Sequence, residues 1–394
     1  MRYKLLSTAV AAVMASVLPG GLFAQEIGVS AAFNNFTKAV SLQKVFEQPR
    51  VFGAFDLKLG FKAEGTEYAD LFGNPHVGVG FSYANIGSCR QAEGVRVGDT
   101  YTLYAFFHRP LLSTRAFSLG YSVEFGPAFM NHWFDPVENP KNNLYSGPLT
   151  MHSKLGIYAL FNLSDRFSIG AEMAFRHNST GRLYVPNEGL NSYSMAVSAR
   201  YAVGDRVLHP GEKIAADSPF GSKFRMSVFA GGGIHKCMAD YLVDRKLPAE
   251  ERKKDFTPWF KGSAGVEGIW RYSRKCSLGV QAELFYLSNT EALRVDDNII
   301  KGEAERKYSP LSAGIGITQE VYFGSFTVGA GIGAYLYREV GFREDHGRLY
   351  QKVCLRYHPP FLSSYFGGIS IRAHQFGRAD YIEFSLGRII ASWN

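Results

Sequence analysis

The stretch FRHNSTGRLYVPNEGLN, residues 175–191, brings His177, Ser179 and Asn191 close together in the chain. These are the side-chain types of a hydrolytic centre. A serine hydroxyl becomes a nucleophile when an imidazole takes its proton, and the imidazole needs a third group to hold its other nitrogen in the right tautomer. In that scheme Ser179 attacks, His177 is the base and Asn191 orients the ring through its amide oxygen, with less charge stabilisation than a carboxylate offers. Glu188, three residues before Asn191, is the substitute acid. Residues two apart on a flat strand stand a little too far apart for a hydrogen bond, so the scheme asks for a bulge or sharp twist near Asn178.

Whether these groups meet depends on the strands that carry them. Phe167, Ile169, Ala171, Met173 and Phe175 form an apolar row at period two, and His177 and Ser179 continue its parity. Beyond the loop, Tyr193, Met195, Val197 and Tyr201 form a second row, which Asn191 shares. If Ser179 and Asn191 oppose each other across the loop, Asn191 lies diagonally from His177, roughly 7 to 8 Å away backbone to backbone, so that side chains can touch. An unpaired polar group in hydrocarbon costs several kcal/mol. Three such groups ending a lipid-facing row therefore either have reached the headgroup layer, where they are simply solvated, or act on the head of a membrane lipid.

The same alternation recurs along almost the whole chain. Phe55, Leu57, Leu59 and Phe61 alternate with Asp56, Lys58, Gly60 and Lys62, and Phe117, Leu119, Tyr121, Val123 and Phe125 alternate with Ser118, Gly120, Ser122 and Glu124. About sixteen such segments start near 26, 50, 77, 100, 117, 149, 166, 191, 223, 258, 275, 309, 325, 348, 365 and 380, many at the length a tilted strand needs to cross a bilayer. No comparable pattern supports a long amphipathic helix. The connections near 163, 272 and 323 read as tight turns, whereas 127–148, 179–190, 236–257 and 288–308 are long. Short turns opposite long loops mark an outer-membrane antiparallel β-barrel, and put the 180–190 loop outside the cell. A soluble β-sandwich also alternates, but would be left with an excess of exposed apolar faces.

MRYKLLSTAVAAVMASVLPGGLFA, residues 1–24, has Arg2 and Lys4 ahead of an apolar stretch and small residues, the layout of a signal peptide. Residues 25–202 then form one group of about eight strands, 203–222 a polar connection, and 223–394 a second group. One wide barrel or two eight-stranded barrels both fit. Phe 31, Tyr 22 and Gly 42 against 20% charged residues suit barrel walls with interfacial aromatics. The net charge of +8 suits an anionic membrane surface, and no basic patch is dense enough for nucleic acid. Cys89, Cys237, Cys276 and Cys354 form no CxxC or Cys/His cluster, so they are expected to be inert or disulfide-bonded rather than metal ligands, and neither a metal nor a cofactor is expected. The run EERKKD, residues 250–255, is expected to be a solvated external loop, and His374 and Glu383 to face a barrel interior.

HNSTGRLYVPNEGLN resembles the motif of the outer-membrane lipid A 3-O-deacylases, or acyloxyacyl hydrolases: His-x-Ser-Asn, then Pro-Asn-x-Gly, then an acidic residue fourteen positions after the histidine. The resemblance covers about residues 26–202. It implies an eight-stranded barrel whose site faces the membrane and cleaves the ester-linked acyl chain at the 3 position of lipid A, with His177 as base and Ser179 as nucleophile. Two positions depart from the motif. Asn191 stands where the family has its acid, and Thr180 stands where the family has the asparagine that helps form the oxyanion hole. Backbone N–H groups of Thr180 and Gly181 are the replacement donors, and Arg182 is placed to meet a lipid phosphate. The expected function is thus a serine esterase acting on lipid A or lipopolysaccharide in the outer membrane of a Gram-negative bacterium. The alternative is a non-catalytic barrel of the same descent, either a pore or a surface-binding protein.

Overall fold

The structure, a computed structural model, describes residues 25–37, 40–47, 51–62, 67–203, 221, 223–302 and 306–394. The expected signal peptide and nearly all of the 203–222 connection lie outside these residues. The first eight strands are β1 (Glu26–Phe36), β2 (Val51–Lys62), β3 (His76–Ala84), β4 (Thr100–Ser113), β5 (Phe117–Met130), β6 (Leu149–Asn162), β7 (Phe167–Ser179) and β8 (Leu190–Ala202). The second eight are β9 (Phe224–Lys236), β10 (Pro258–Trp270), β11 (Cys276–Leu287), β12 (Leu311–Phe323), β13 (Phe326–Tyr337), β14 (Leu349–Tyr357), β15 (Tyr365–His374) and β16 (Arg378–Trp393). All begin within two residues of where the alternation puts them.

β1 pairs with both β2 and β8, and β9 pairs with both β10 and β16, all antiparallel, so each group closes on itself. The chain is two transmembrane eight-stranded barrels rather than one wide one. Closure leaves no strand edge exposed to hydrocarbon, which is what a bilayer demands of a sheet. Along β7, Ile169, Met173 and Phe175 point outward while Ser168, Arg176 and Asn178 are buried inside.

The interiors are polar and filled. In the first barrel Lys154 bridges Glu124 (2.7 Å) and Glu172 (2.8 Å), and Lys58 also reaches Glu124 at 2.8 Å. In the second, Arg356 pairs with Glu267 (2.8 Å) and Glu320 (3.0 Å), and Glu283 receives Lys352 (2.8 Å) and Arg372 (3.2 Å). Buried charge is tolerated only when it is paired in this way. His374 and Glu383 lie inside this barrel, His374 accepting a hydrogen bond from Arg338 at 2.9 Å and Glu383 one from Ser263 at 2.7 Å. Two lumenal pockets of about 40 and 20 Å³ have room for little more than water.

Apolar packing is concentrated under the loops. Phe36, Leu42, Val45, Phe46, Leu144 and Tyr145 belong to a cluster that caps the loop end of the first barrel, and a smaller cluster with Cys237, Leu293 and Val340 caps the second. Among the described residues, α1 (Val40–Val45), α3 (Met238–Asp244) and α4 (Thr290–Lys301) serve these ends, while α2 (Glu67–Phe72) lies at the opposite end, where Phe72 stacks on Phe323. The twelve-residue α4 lies within the long connection 288–308. Its amphipathic stripe is only about three turns long and anchors on Leu293, too short to stand out from the strands around it. The cysteines form no disulfide: all four are free thiols, and burial pushes Cys89 up to about 11 and Cys237 up to about 12, which keeps both protonated.

Candidate active site

β7 and β8 run side by side to the loop 180–189, and their ladder sets the site. His177 is directly opposite Asn191, and the last pair is Asn178 with Leu190. The diagonal placement expected from the sequence is therefore replaced by a closer one, because the register sets Asn191 against His177 rather than against Ser179. His177 Nδ1 and Asn191 Oδ1 stand 2.6 Å apart. An amide oxygen can only accept, so Nδ1 carries the proton and Nε2 keeps its lone pair, the tautomer a base requires.

Ser179 pairs with Met151 across the β6–β7 ladder without a register shift, so the bulge expected near Asn178 is not formed. No hydrogen bond joins Ser179 to His177 in this structure. They converge instead beneath Gly189. A Cβ built on Gly189 would lie 3.5 Å from His177 Cε1, 3.6 Å from Ser179 Cβ and only 2.9 Å from the Asn178 carbonyl, and its φ of +67° adds strain for any other residue. The returning loop thus covers Ser179, which shares the outward parity of His177 yet is buried.

Two donors converge on the serine oxygen, Asn187 Nδ2 at 3.0 Å and the Gly181 N–H at 3.2 Å. The Thr180 N–H does not join them, contrary to the sequence reading, because it donates to Asn187 Oδ1 at 3.1 Å. Thr180 Oγ1 in turn donates to the Tyr184 carbonyl at 3.2 Å. Asn187 was missed as a site residue. Its signal was the Pro-Asn-Glu-Gly turn, in which the asparagine reads as an ordinary turn former. Glu188 is exposed and accepts from Asn143 Nδ2 at 2.8 Å, which turns it away from His177 and removes it as the substitute acid.

The loop rests on the segment before β6. Glu188 N–H donates to the Asn143 carbonyl (3.1 Å), Gly189 N–H to that of Leu144 (3.2 Å), and Ser146 Oγ to that of Pro186. Leu144 and Tyr145 are fully buried in the loop cluster, so this support is anchored from below. Arg182 is the largest departure from expectation. Its guanidinium is buried, donating from Nη1 to both oxygens of Glu344 at 2.9 and 2.8 Å, and is engaged by a carboxylate of the second barrel rather than held out toward a lipid phosphate. Burial alone would raise the Glu344 carboxyl, but Arg182 and Lys261 hold it well below the usual carboxylate range.

His108, Glu124 and Glu172 bring potential metal-ligand atoms within 4.8 Å of one another inside the first barrel. They do not suit a cation. Lys58 and Lys154 already neutralise the carboxylates, and His108 Nδ1 accepts from Arg200 at 2.9 Å, so Nε2 bears the proton and has no lone pair to offer.

The model of the lipid A 3-O-deacylase (PagL) family matches residues 53–200, and that of the acyloxyacyl hydrolase C-terminal domain matches residues 224–391. Among solved structures, the outer membrane enzyme PagL aligns at 16% identity over 43% of this chain and 97% of its own, with a TM-score of 0.30. The KdgM porin in complex with disordered oligogalacturonate aligns at 7% identity over 74% of this chain and 90% of its own (TM-score 0.17). The Pseudomonas putida toluene transporter TodX aligns at 8% identity over 92% and 87% (TM-score 0.17). No curated protein matches the chain. The two family models between them account for both barrels, and the chain belongs to the lipid A 3-O-deacylase family, the acyloxyacyl hydrolases.

Proposed function

We propose that the first barrel is a serine esterase of the outer membrane that removes an ester-linked acyl chain from lipid A or a related acylated lipid. The observation that carries this reading is the 2.6 Å contact of His177 Nδ1 with Asn191 Oδ1, at the loop end of an outward apolar row and beside a serine oxygen that receives two donors. With Nδ1–H held by Asn191, the Nε2 lone pair takes the Ser179 proton as Oγ attacks the ester carbonyl carbon. A change of side-chain torsion on substrate binding closes the gap between the two groups, as apo hydrogen bonds at such sites commonly tighten in the complex.

The carbonyl oxygen becomes an oxyanion beside Asn187 Nδ2 and the Gly181 N–H, the donors that converge on the serine oxygen. Collapse breaks the ester bond, and His177 returns the proton to the departing sugar oxygen. Water, deprotonated by the same imidazole, then releases the acyl chain from Ser179 as a free acid. The substrate reaches the site laterally, from the lipopolysaccharide around the barrel. The polar, occupied lumens argue against the pore reading.

The test is mass spectrometry of lipid A from cells producing the protein. Loss of one hydroxyacyl chain, abolished by Ser179→Ala, is the expected result. An unchanged lipid A profile with the wild-type chain, or equal loss with Ser179→Ala, would refute the assignment and leave a surface-binding barrel as the better reading.

A further inference from the structure

The β7–β8 loop that carries the donors to Ser179 is held by the other barrel. Arg182 lies in this loop, yet its guanidinium is buried at the mouth of the second barrel, within 2.9 Å of both Glu344 oxygens and 3.7 Å from Asp380 Oδ1. Lys261 completes the cluster, pairing with Asp380 and standing 3.4 Å from Glu344. Two cations and two carboxylates thus balance where little water can screen them, and without the residue from the first barrel Lys261 alone would face both carboxylates. The backbone is tied as well: Lys236 N–H donates to the Arg182 carbonyl at 2.9 Å, and the Lys236 ammonium lies 4.5 Å from the centre of the Tyr184 ring. Gly181 sits so close to the second barrel that a Cβ there would come within 2.8 Å of Ile382 Cδ1.

These contacts act on the bond that matters. Gly181 and Arg182 are consecutive left-handed residues, with φ of +60° and +65°. Glycine adopts that conformation freely, whereas arginine does so only when something outside the backbone compensates. The left-handed pair is what turns the Gly181 N–H back toward Ser179 Oγ, 3.2 Å away. Resting on the esterase reading of the first barrel, we propose that the second barrel is its positioning element: Glu344 and Asp380 grip Arg182 and so fix the turn that aims the Gly181 N–H at the reacting oxygen. Arg182 is then a positioning residue, touching no substrate, and the second barrel needs no chemistry of its own.

The full-length chain is tested as Arg182→Gln, which leaves Lys261 paired with Asp380, and as Arg182→Lys, which keeps the charge. Deacylation kinetics on lipopolysaccharide and amide hydrogen exchange across 180–189 are both read. The expected result for Arg182→Gln is a kcat lower by roughly 10- to 100-fold, the cost of misplacing a reacting group by about an ångström, with KM little changed and faster exchange in the loop. Arg182→Lys should recover most of both. Glu344→Gln approaches the same contact from the other barrel and should reproduce the pattern even if Arg182→Gln folds poorly, which the heat-modifiable gel mobility of barrels reveals. Unchanged kcat and unchanged exchange in these variants overturn the proposal. Should the wild-type chain show no activity dependent on Ser179, the esterase reading fails, while the exchange of 180–189 still decides whether the second barrel orders the loop.

Discussion

Replacing Asn191 with leucine isolates the contact on which the proposed chemistry turns. Leucine is close to asparagine in size and suits the outward row of β8, so the wall should be kept while the acceptor at 2.6 Å from His177 Nδ1 is lost. A half-buried imidazole N–H deprived of its partner loses about 1–3 kcal/mol, and the ring can then flip or exchange tautomers until Nε2 carries the proton. If that energy is spent only on holding the reactive tautomer, kcat falls by about 5- to 150-fold, since each 1.36 kcal/mol is tenfold. KM should hardly move, because Asn191 is behind the ring and need not touch the lipid. Asn191→Asp supplies the complementary arm: it keeps the acceptor, adds charge facing the imidazolium that forms, and should equal or exceed the wild-type rate. Release of hydroxy fatty acid from purified lipopolysaccharide, followed over a range of substrate concentrations, reads both constants. Full activity in Asn191→Leu, or a loss confined to KM, would show that the contact does not serve a base.

Two further outcomes follow from contacts elsewhere. Asn187→Leu removes a donor to Ser179 Oγ and the acceptor for the Thr180 N–H together, so kcat should drop by about 100- to 1000-fold, the usual cost of an oxyanion donor; a drop below tenfold would remove Asn187 from that role. Near the loop end of the second barrel, burial and the hydrogen bond and charge of Asp240 push Asp296 up to about 7. An acid that holds its proton more tightly when folded loses stability as pH rises from its unfolded value to its folded one, so α3 and α4 should exchange amide hydrogens faster, beyond the intrinsic change, between about pH 4 and about pH 7; exchange independent of pH after that correction contradicts the pairing.

The strands were legible because a barrel wall between lipid and a polar lumen favours a two-residue period, and each of the sixteen begins within two residues of where the alternation puts it. Parity alone also put His177 and Asn191 on the same face of adjacent strands, and the structure pairs them in direct register. What parity could not reach was the loop, where direction is set by turns rather than by a repeat. Glu188 and Asn187 are neighbours, yet one faces Asn143 and the other Ser179. Arg182 was beyond reach for another reason: its partner Glu344 is 162 residues away, on a connection of the other barrel, and nothing in either segment alone signals the pair. The choice between one barrel and two was likewise a matter of closure, decided by which strands bond β1 and β9.

His177 and Asn191 stand opposite each other near the loop ends of the outward rows of β7 and β8. A hydrocarbon tail lying against Phe175, Met173 and Ile169 meets no floor that would measure its length. On the proposed esterase reading, discrimination among esters then comes from elevation: only a carbonyl held level with the imidazole, at the seam between sugar and tail, comes within range. On this geometry the thickness of the surrounding leaflet and the tilt of the cylinder become determinants of selectivity, and shifting either should change which linkage is cut without altering a single side chain.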